Sequence, residues 1–136
     1  MGIAAELPKR LKKKKRPVKH ATVYWIENDE NEVLLRKRPN KGLLGGMMEF
    51  PNSEWRAKQD IKAEPPVKSG YQATLNEPVK HVFTHLELYL KIEKHCFTGK
   101  LPDNTYKWCN INDLNDQALP SLMVKVANQV LGTDNA

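Results

Sequence analysis

The sequence predicts an α+β domain: a mixed β-sheet, one C-terminal helix packed on it, and a disordered basic arm in front. Three observations carry this reading. Residues 18–38 hold two β-type runs around a polar turn cluster. Residues 79–97 are the richest β stretch, with apolar and polar residues alternating. After Pro120 the apolar spacing changes from a period of two to a helical one.

The 136 residues fit one domain plus a tail, with 40% hydrophobic content to build a core. The boundaries expected are a linker over 1–17, a domain over 18–133 and a tail over 134–136. Pro8 and Pro17 bracket the basic run of the linker. Eight Lys/Arg and no acid lie between Lys9 and Lys19, whereas from His20 onward there are 14 basic and 15 acidic residues. The formal net charge of +6 therefore belongs to the arm. Such a run is a solvated spacer, or a flexible arm whose Lys12, Lys13, Lys14, Lys15 and Arg16 contact phosphates. The two readings are compatible. A linker in this position predicts a further segment upstream.

Val18 to Glu27 reads as a strand, with Val18, Ala21, Val23 and Trp25 among β-formers. Asn28-Asp29-Glu30-Asn31 is its turn, and Glu32 to Arg38 the hairpin partner. Val33 and Leu35 point one way and Leu34 the other, so this strand is covered on both faces. Arg36, Arg38 and Lys41 form a second basic cluster, either a solvated strand end or further phosphate contacts. The stretch Lys41-Gly42-Leu43-Leu44-Gly45-Gly46-Met47-Met48-Glu49-Phe50-Pro51 organises the chain, because its glycines allow positive φ and close backbone approach. Phe50 and Trp55 are expected in the core or over its edge. Residues 56–72 have little apolar support, room for a short helical turn or two, and a stop at Pro65-Pro66. Gly70 and Asn76-Glu77-Pro78 read as loop. Val79–Phe83 is a strand with Thr84-His85 near its end. Leu86, Leu88, Leu90 and Ile92 then alternate with polar residues in a half-buried antiparallel strand. Tyr106–Cys109 is a further strand, and Asn112 or Asp113 can cap a short turn or helix. Pro120 opens the last helix, Leu122, Met123, Val126, Val130 and Leu131 form its apolar face, and Gly132 ends it.

No apolar run is long enough to span a bilayer and no signal-peptide pattern is present, so no membrane partner is expected. Two cysteines, Cys96 and Cys109, build neither a disulfide framework nor a four-thiolate cluster, and a reduced, cytosolic setting follows. The spacings of His20, His81, His95 and the cysteines match no zinc pattern. No metal site and no catalytic Ser/His/Asp or Cys/His set is expected.

A strand, this glycine-rich loop and Glu-Phe-Pro together resemble the Nudix hydrolases, MutT-like pyrophosphohydrolases. That family carries a following helix whose paired glutamates hold a divalent metal. The corresponding residues here are Val67-Lys68-Ser69-Gly70-Tyr71-Gln72, none acidic, with Pro65-Pro66 in place of the helix. Asp60 and Glu64 are the only carboxylates in the segment, and Glu49 reads as structural. The resemblance implies a Nudix-like sheet with a degenerate box.

Over nearly the whole chain the sequence is similar to the C-terminal domain of the MutY-type adenine DNA glycosylases. The resemblance is carried by Leu34-Leu35-Arg36-Lys37-Arg38-Pro39, Lys41 to Met47, Phe50-Pro51 with Trp55, His81-Val82-Phe83-Thr84-His85-Leu86-Glu87-Leu88, and Ala118 to Lys125. It implies recognition of 8-oxoguanine opposite adenine in double-stranded DNA, in base-excision repair. It also implies an N-terminal glycosylase domain of the same polypeptide that holds the catalytic residues and the iron–sulfur cluster, leaving no cofactor in this chain. A monomer is expected. The family's Phe-Ser-His lesion loop falls on Phe83, Thr84 and His85, with Thr in place of Ser. A Thr-His pair at a strand end also fits an ordinary turn, and Phe83 also fits a core position. Two other functions remain open: a genuine Nudix pyrophosphohydrolase, and a module that binds a repair protein through its arm.

Overall fold

The computed structural model describes residues 16–40, 44–59 and 62–132. Lys12, Lys13, Lys14, Lys15 and Lys41 lie outside the described residues, as do Asp60 and the tail 134–136.

The sheet is built around β1 (Val18–Glu27), whose residues 21–26 are all buried. A strand covered on both faces needs apolar or hydrogen-bonded side chains throughout, and Ala21 to Ile26 supply them. Its partner on one side is β6 (Glu87–Cys96), which runs parallel to it from Val18 beside Glu87 to Glu27 beside Cys96. On the other side β2 (Glu32–Lys37) joins it only at Glu27 and Val33. Beyond that point residues 51–56 take over the edge of β1. Tyr24 N donates to Pro51 O (2.8 Å) and Ser53 N to Thr22 O (2.9 Å), and His20 and Arg56 exchange both backbone bonds. The two-residue β3 (Met48–Glu49) and β7 (Tyr106–Asn110) pair antiparallel with β2. β4 (Gly70–Thr74) and β5 (Val79–Val82) pair antiparallel with β6. These seven strands form one mixed sheet.

Alternation on β2 works as expected: Val33 and Leu35 enter the larger core and Leu34 the smaller one on the opposite face. The larger core joins Trp25, Phe50, Leu88, Leu90 and Ile92 to α1 (Ser121–Leu131) through Leu122, Met123, Val126 and Ala127. Leu131 is 40% exposed, and Ala127 takes its expected place, because the buried stripe follows the i, i+3/i+4 spacing from Leu122 and Met123. Gly132 closes α1 in the left-handed conformation (φ 67°) with its N–H on Asn128 O.

Three expectations are corrected. Gly70–Thr74 is a strand, not a loop, and the described part of residues 56–72 contains no helix. β4 is an edge strand with every residue exposed, so it carries no apolar alternation to read. Second, β6 is antiparallel to β4 and β5 but parallel to β1, a choice that side-chain alternation does not encode. Third, the cap of the short 3-10 helix Ile111–Asp116 is Asn110, whose side chain accepts from Asn112 N (2.9 Å), rather than Asn112 or Asp113.

Candidate nucleic-acid interface

Thr84 and His85 form the tip of the β5–β6 hairpin. Val82 pairs with Glu87, and Phe83 N donates to Leu86 O (2.8 Å), which closes the turn from inside. Neither tip residue takes a positive φ, so the turn avoids the mirror-image types usual in tight hairpins and suits a β-branched Thr. Both residues are exposed. Among the described residues no hydrogen bond occupies the Thr84 hydroxyl or the His85 ring.

Phe83 faces the other way. It is half-buried against the larger core, stacked on Trp55 (centroids 5.8 Å apart, planes 25° apart) and met edge-on by His81 (4.6 Å). Its primary contact is packing, and it anchors the turn to the sheet. Burial, then Lys125, holds the His81 imidazole below the ordinary histidine value of 6.5. Its Nδ1 is buried without a hydrogen-bond partner among the described residues.

Trp55 is placed by the 51–56 segment that runs along β1. Its Nε1 donates to Asn52 Oδ1 (3.0 Å), and the Arg38 guanidinium carbon lies 5.3 Å from its ring centroid. Asn52 in turn donates to Glu49 Oε1 (3.0 Å) and Phe50 O (2.8 Å). Glu49 is 2% exposed, which a carboxylate tolerates only with strong partners. Arg36 meets Oε2 and Arg38 meets Oε1, each at 2.7 Å. Burial alone would lower the Arg36 pKa, but Glu49 and Tyr106 outweigh it and leave it above the ordinary arginine value. Arg36 and Arg38, expected as phosphate contacts, are thus held first by Glu49, with one positive charge in excess. With Glu49, Asn52, Trp55 and Thr105 they line a cleft of about 640 Å³. The cross-strand register Arg36 beside Glu49 makes this network possible.

The glycine-rich loop holds β2 and β3 at this spacing. Gly46 (φ 78°) donates to Pro39 O (2.9 Å), and a Cβ there would lie 3.1 Å from Asn40 Oδ1. Leu44 also has a positive φ (61°), an uncommon state for a bulky residue.

One contact was not visible in the sequence. Arg16, the last arginine of the basic run, donates from Nε to Thr84 O (3.2 Å), 68 positions away. Next to it Pro17 O accepts from Glu87 N (2.9 Å). Only the parallel pairing of β1 with β6 brings the arm and the turn together, and nothing local in the sequence signals that pairing.

Among the described residues a Nudix-type metal finds no site. Among the described residues no group of three His, Cys, Asp or Glu lies close enough to hold an ion. Glu49 is engaged by two guanidinium groups, and the segment expected to present glutamates runs into the exposed strand β4.

A family model described as NUDIX domain matches residues 22–129. Among curated proteins, the adenine DNA glycosylase of Homo sapiens is 27% identical over 109 residues, covering 70% of this chain and 20% of its own length. That of Rattus norvegicus is 27% identical over 115 residues, covering 69% and 21%. The chain therefore spans about a fifth of the length of these relatives. Among solved structures, the C-terminal domain of mouse MUTYH, in complex with human PCNA, superposes with a TM-score of 0.64 at 17% identity over 87% of this chain and 90% of that one. The MutT protein of Methanosarcina mazei Go1 gives 0.68 at 13% identity over 90% and 99%.

Proposed function

This chain belongs to the NUDIX domain family, and from that premise we propose that it is the lesion-reading domain of an adenine DNA glycosylase, with 8-oxoguanine opposite adenine in duplex DNA as its ligand. Its sequence relatives are adenine DNA glycosylases. In this reading the glycosylase chemistry and the iron–sulfur cluster belong to a separate N-terminal domain of the same polypeptide, and this chain hydrolyses nothing.

The observation that carries the reading is the Thr84–His85 turn: an exposed hydroxyl and an exposed imidazole on a backbone tied down by Phe83 N–Leu86 O inside and Arg16 outside. Guanine offers a bare acceptor at N7 on its major-groove edge. Oxidation at C8 makes N7 an N–H donor and adds an acceptor oxygen. A hydroxyl both accepts and donates, so the Thr84 side chain can match the oxidised edge. Fixed backbone geometry makes such a match selective, since a hydroxyl on a loose loop would adapt to either base. Phe83 supports the turn from below, and the charge left over on Arg36 and Arg38 favours the nearby phosphates.

The test is chemical-shift mapping of the chain with two duplexes, one with 8-oxoguanine opposite adenine and one with guanine there. Larger shifts at Thr84 and His85 for the lesion duplex are expected. Thr84→Val, which keeps the shape and removes the hydroxyl, should reduce the preference between duplexes on the order of tenfold. Equal shifts with both duplexes, confined to the basic arm, would overturn the reading.

A further inference from the structure

We infer that Arg16 is a positioning residue for the Thr84–His85 turn, so that the end of the basic arm sets the geometry with which the lesion is read. The inference rests on the lesion-reading role proposed above.

The turn is a two-residue tip whose Thr84 carbonyl accepts from Arg16 Nε. The inner bond, Phe83 N to Leu86 O, fixes where the tip begins and ends. It leaves the Thr84–His85 peptide plane able to rotate, and that rotation would turn the His85 N–H, the backbone donor beside the Thr84 hydroxyl. Arg16 Nε holds the Thr84 carbonyl at 3.2 Å and removes this freedom. The arginine is itself held by its neighbour: Pro17 O accepts from Glu87 N, continuing the β1–β6 pairing one step beyond Val18 beside Glu87. The residues that lead into β1 thus hold the turn at its Thr84 carbonyl and at Glu87, the first residue of the strand that follows it.

The chemistry of arginine suits this role. A guanidinium is planar, always charged, and carries five N–H donors in a fixed fork. One donor on the carbonyl leaves the others for a phosphate oxygen. Arg16 is half of neither readout alone. Its charge attracts the strand, and its Nε sets the turn that examines the base. Lysine would keep the charge but lose the planar fork, which separates the two roles experimentally.

Two measurements on the whole chain test this. In the free protein, Arg16→Gln should shift the His85 amide resonance, which reports the bond at the Thr84 carbonyl. Arg16→Lys should do the same. A His85 amide unchanged in both variants would overturn the inference whether or not DNA is bound. With the two duplexes, Arg16→Gln and Arg16→Lys should each narrow the ratio of dissociation constants by roughly threefold to tenfold. Only Arg16→Gln should flatten the salt dependence, as Lys13→Gln also should without touching the ratio. Equal weakening on both duplexes with an unchanged ratio would make Arg16 a phosphate contact only and overturn the inference. If the unaltered chain fails to distinguish the duplexes, the lesion-reading function falls, and the free-protein resonances still decide whether Arg16 sets the turn.

Discussion

Without its carboxylate, Glu49 would leave two guanidinium groups facing one another beside the core. Arg36 and Arg38 are each only about a quarter exposed, at 27% and 22%, so water relieves only part of that repulsion. Glu49→Gln is therefore expected to lower stability by about 3 kcal/mol, the lower end for breaking a buried ion pair because both arginines keep some solvent. The check is a urea titration in which the midpoint falls with little change in slope. The same residues show where the sequence was readable and where it was not. A basic cluster after β2 is plain in the sequence, and phosphate contact is its simplest use. The acid that holds it lies 13 positions from Arg36 and becomes a neighbour only through the β2–β3 register. Trp55 and Phe50 were legible as core or edge aromatics, because large aromatic side chains rarely stay in water. The stacking of Trp55 on Phe83 at the turn depends on residues 51–56 lying along β1, and no local pattern announces that.

The β5–β6 hairpin and α1 meet at His81. Lys125 of α1 donates to Lys80 O at 3.3 Å and sits near the imidazole. Burial and that ammonium both disfavour the charged ring, so the folded-state pKa lies below the unfolded value of 6.5. In the window just below 6.5 the unfolded chain therefore binds more protons than the folded one. The resulting stability is complete above 6.5 and is lost as pH falls through the lowered folded value. Unfolding midpoints should accordingly drop on acidification from pH 7 to 5.5, and His81→Gln should flatten that slope. A slope that survives the substitution would place its origin elsewhere. At this scale a long run of β-forming residues was legible to the residue, as β1 over Val18–Glu27 illustrates. β4 was not, because an exposed edge strand imposes no hydrophobic pattern on its sequence.

At the scale of the whole molecule, fold and function are separate questions. The fold is shared with the MutT protein of Methanosarcina mazei Go1, yet a fold does not bring its chemistry with it. The purified chain with Mg²⁺ is expected to release no phosphate from 8-oxo-dGTP or other nucleoside diphosphate derivatives. Metal-dependent release that Glu64→Gln abolishes would restore a pyrophosphohydrolase. The sheet's centre also joins parts far apart in the chain: Glu87 lies 69 positions after its partner Val18. This has a consequence for anyone trimming the protein. The first strand of a domain is often an edge and a convenient place to shorten it. Here it is the middle. A deletion that enters β1 does not shave the sheet but divides it, with β2, β3 and β7 on one side and β4, β5 and β6 on the other. Even a cut that stops at Pro17 spares every strand and still unfastens the Thr84 carbonyl, so the shortest version that folds is not the shortest version that keeps its turn in place.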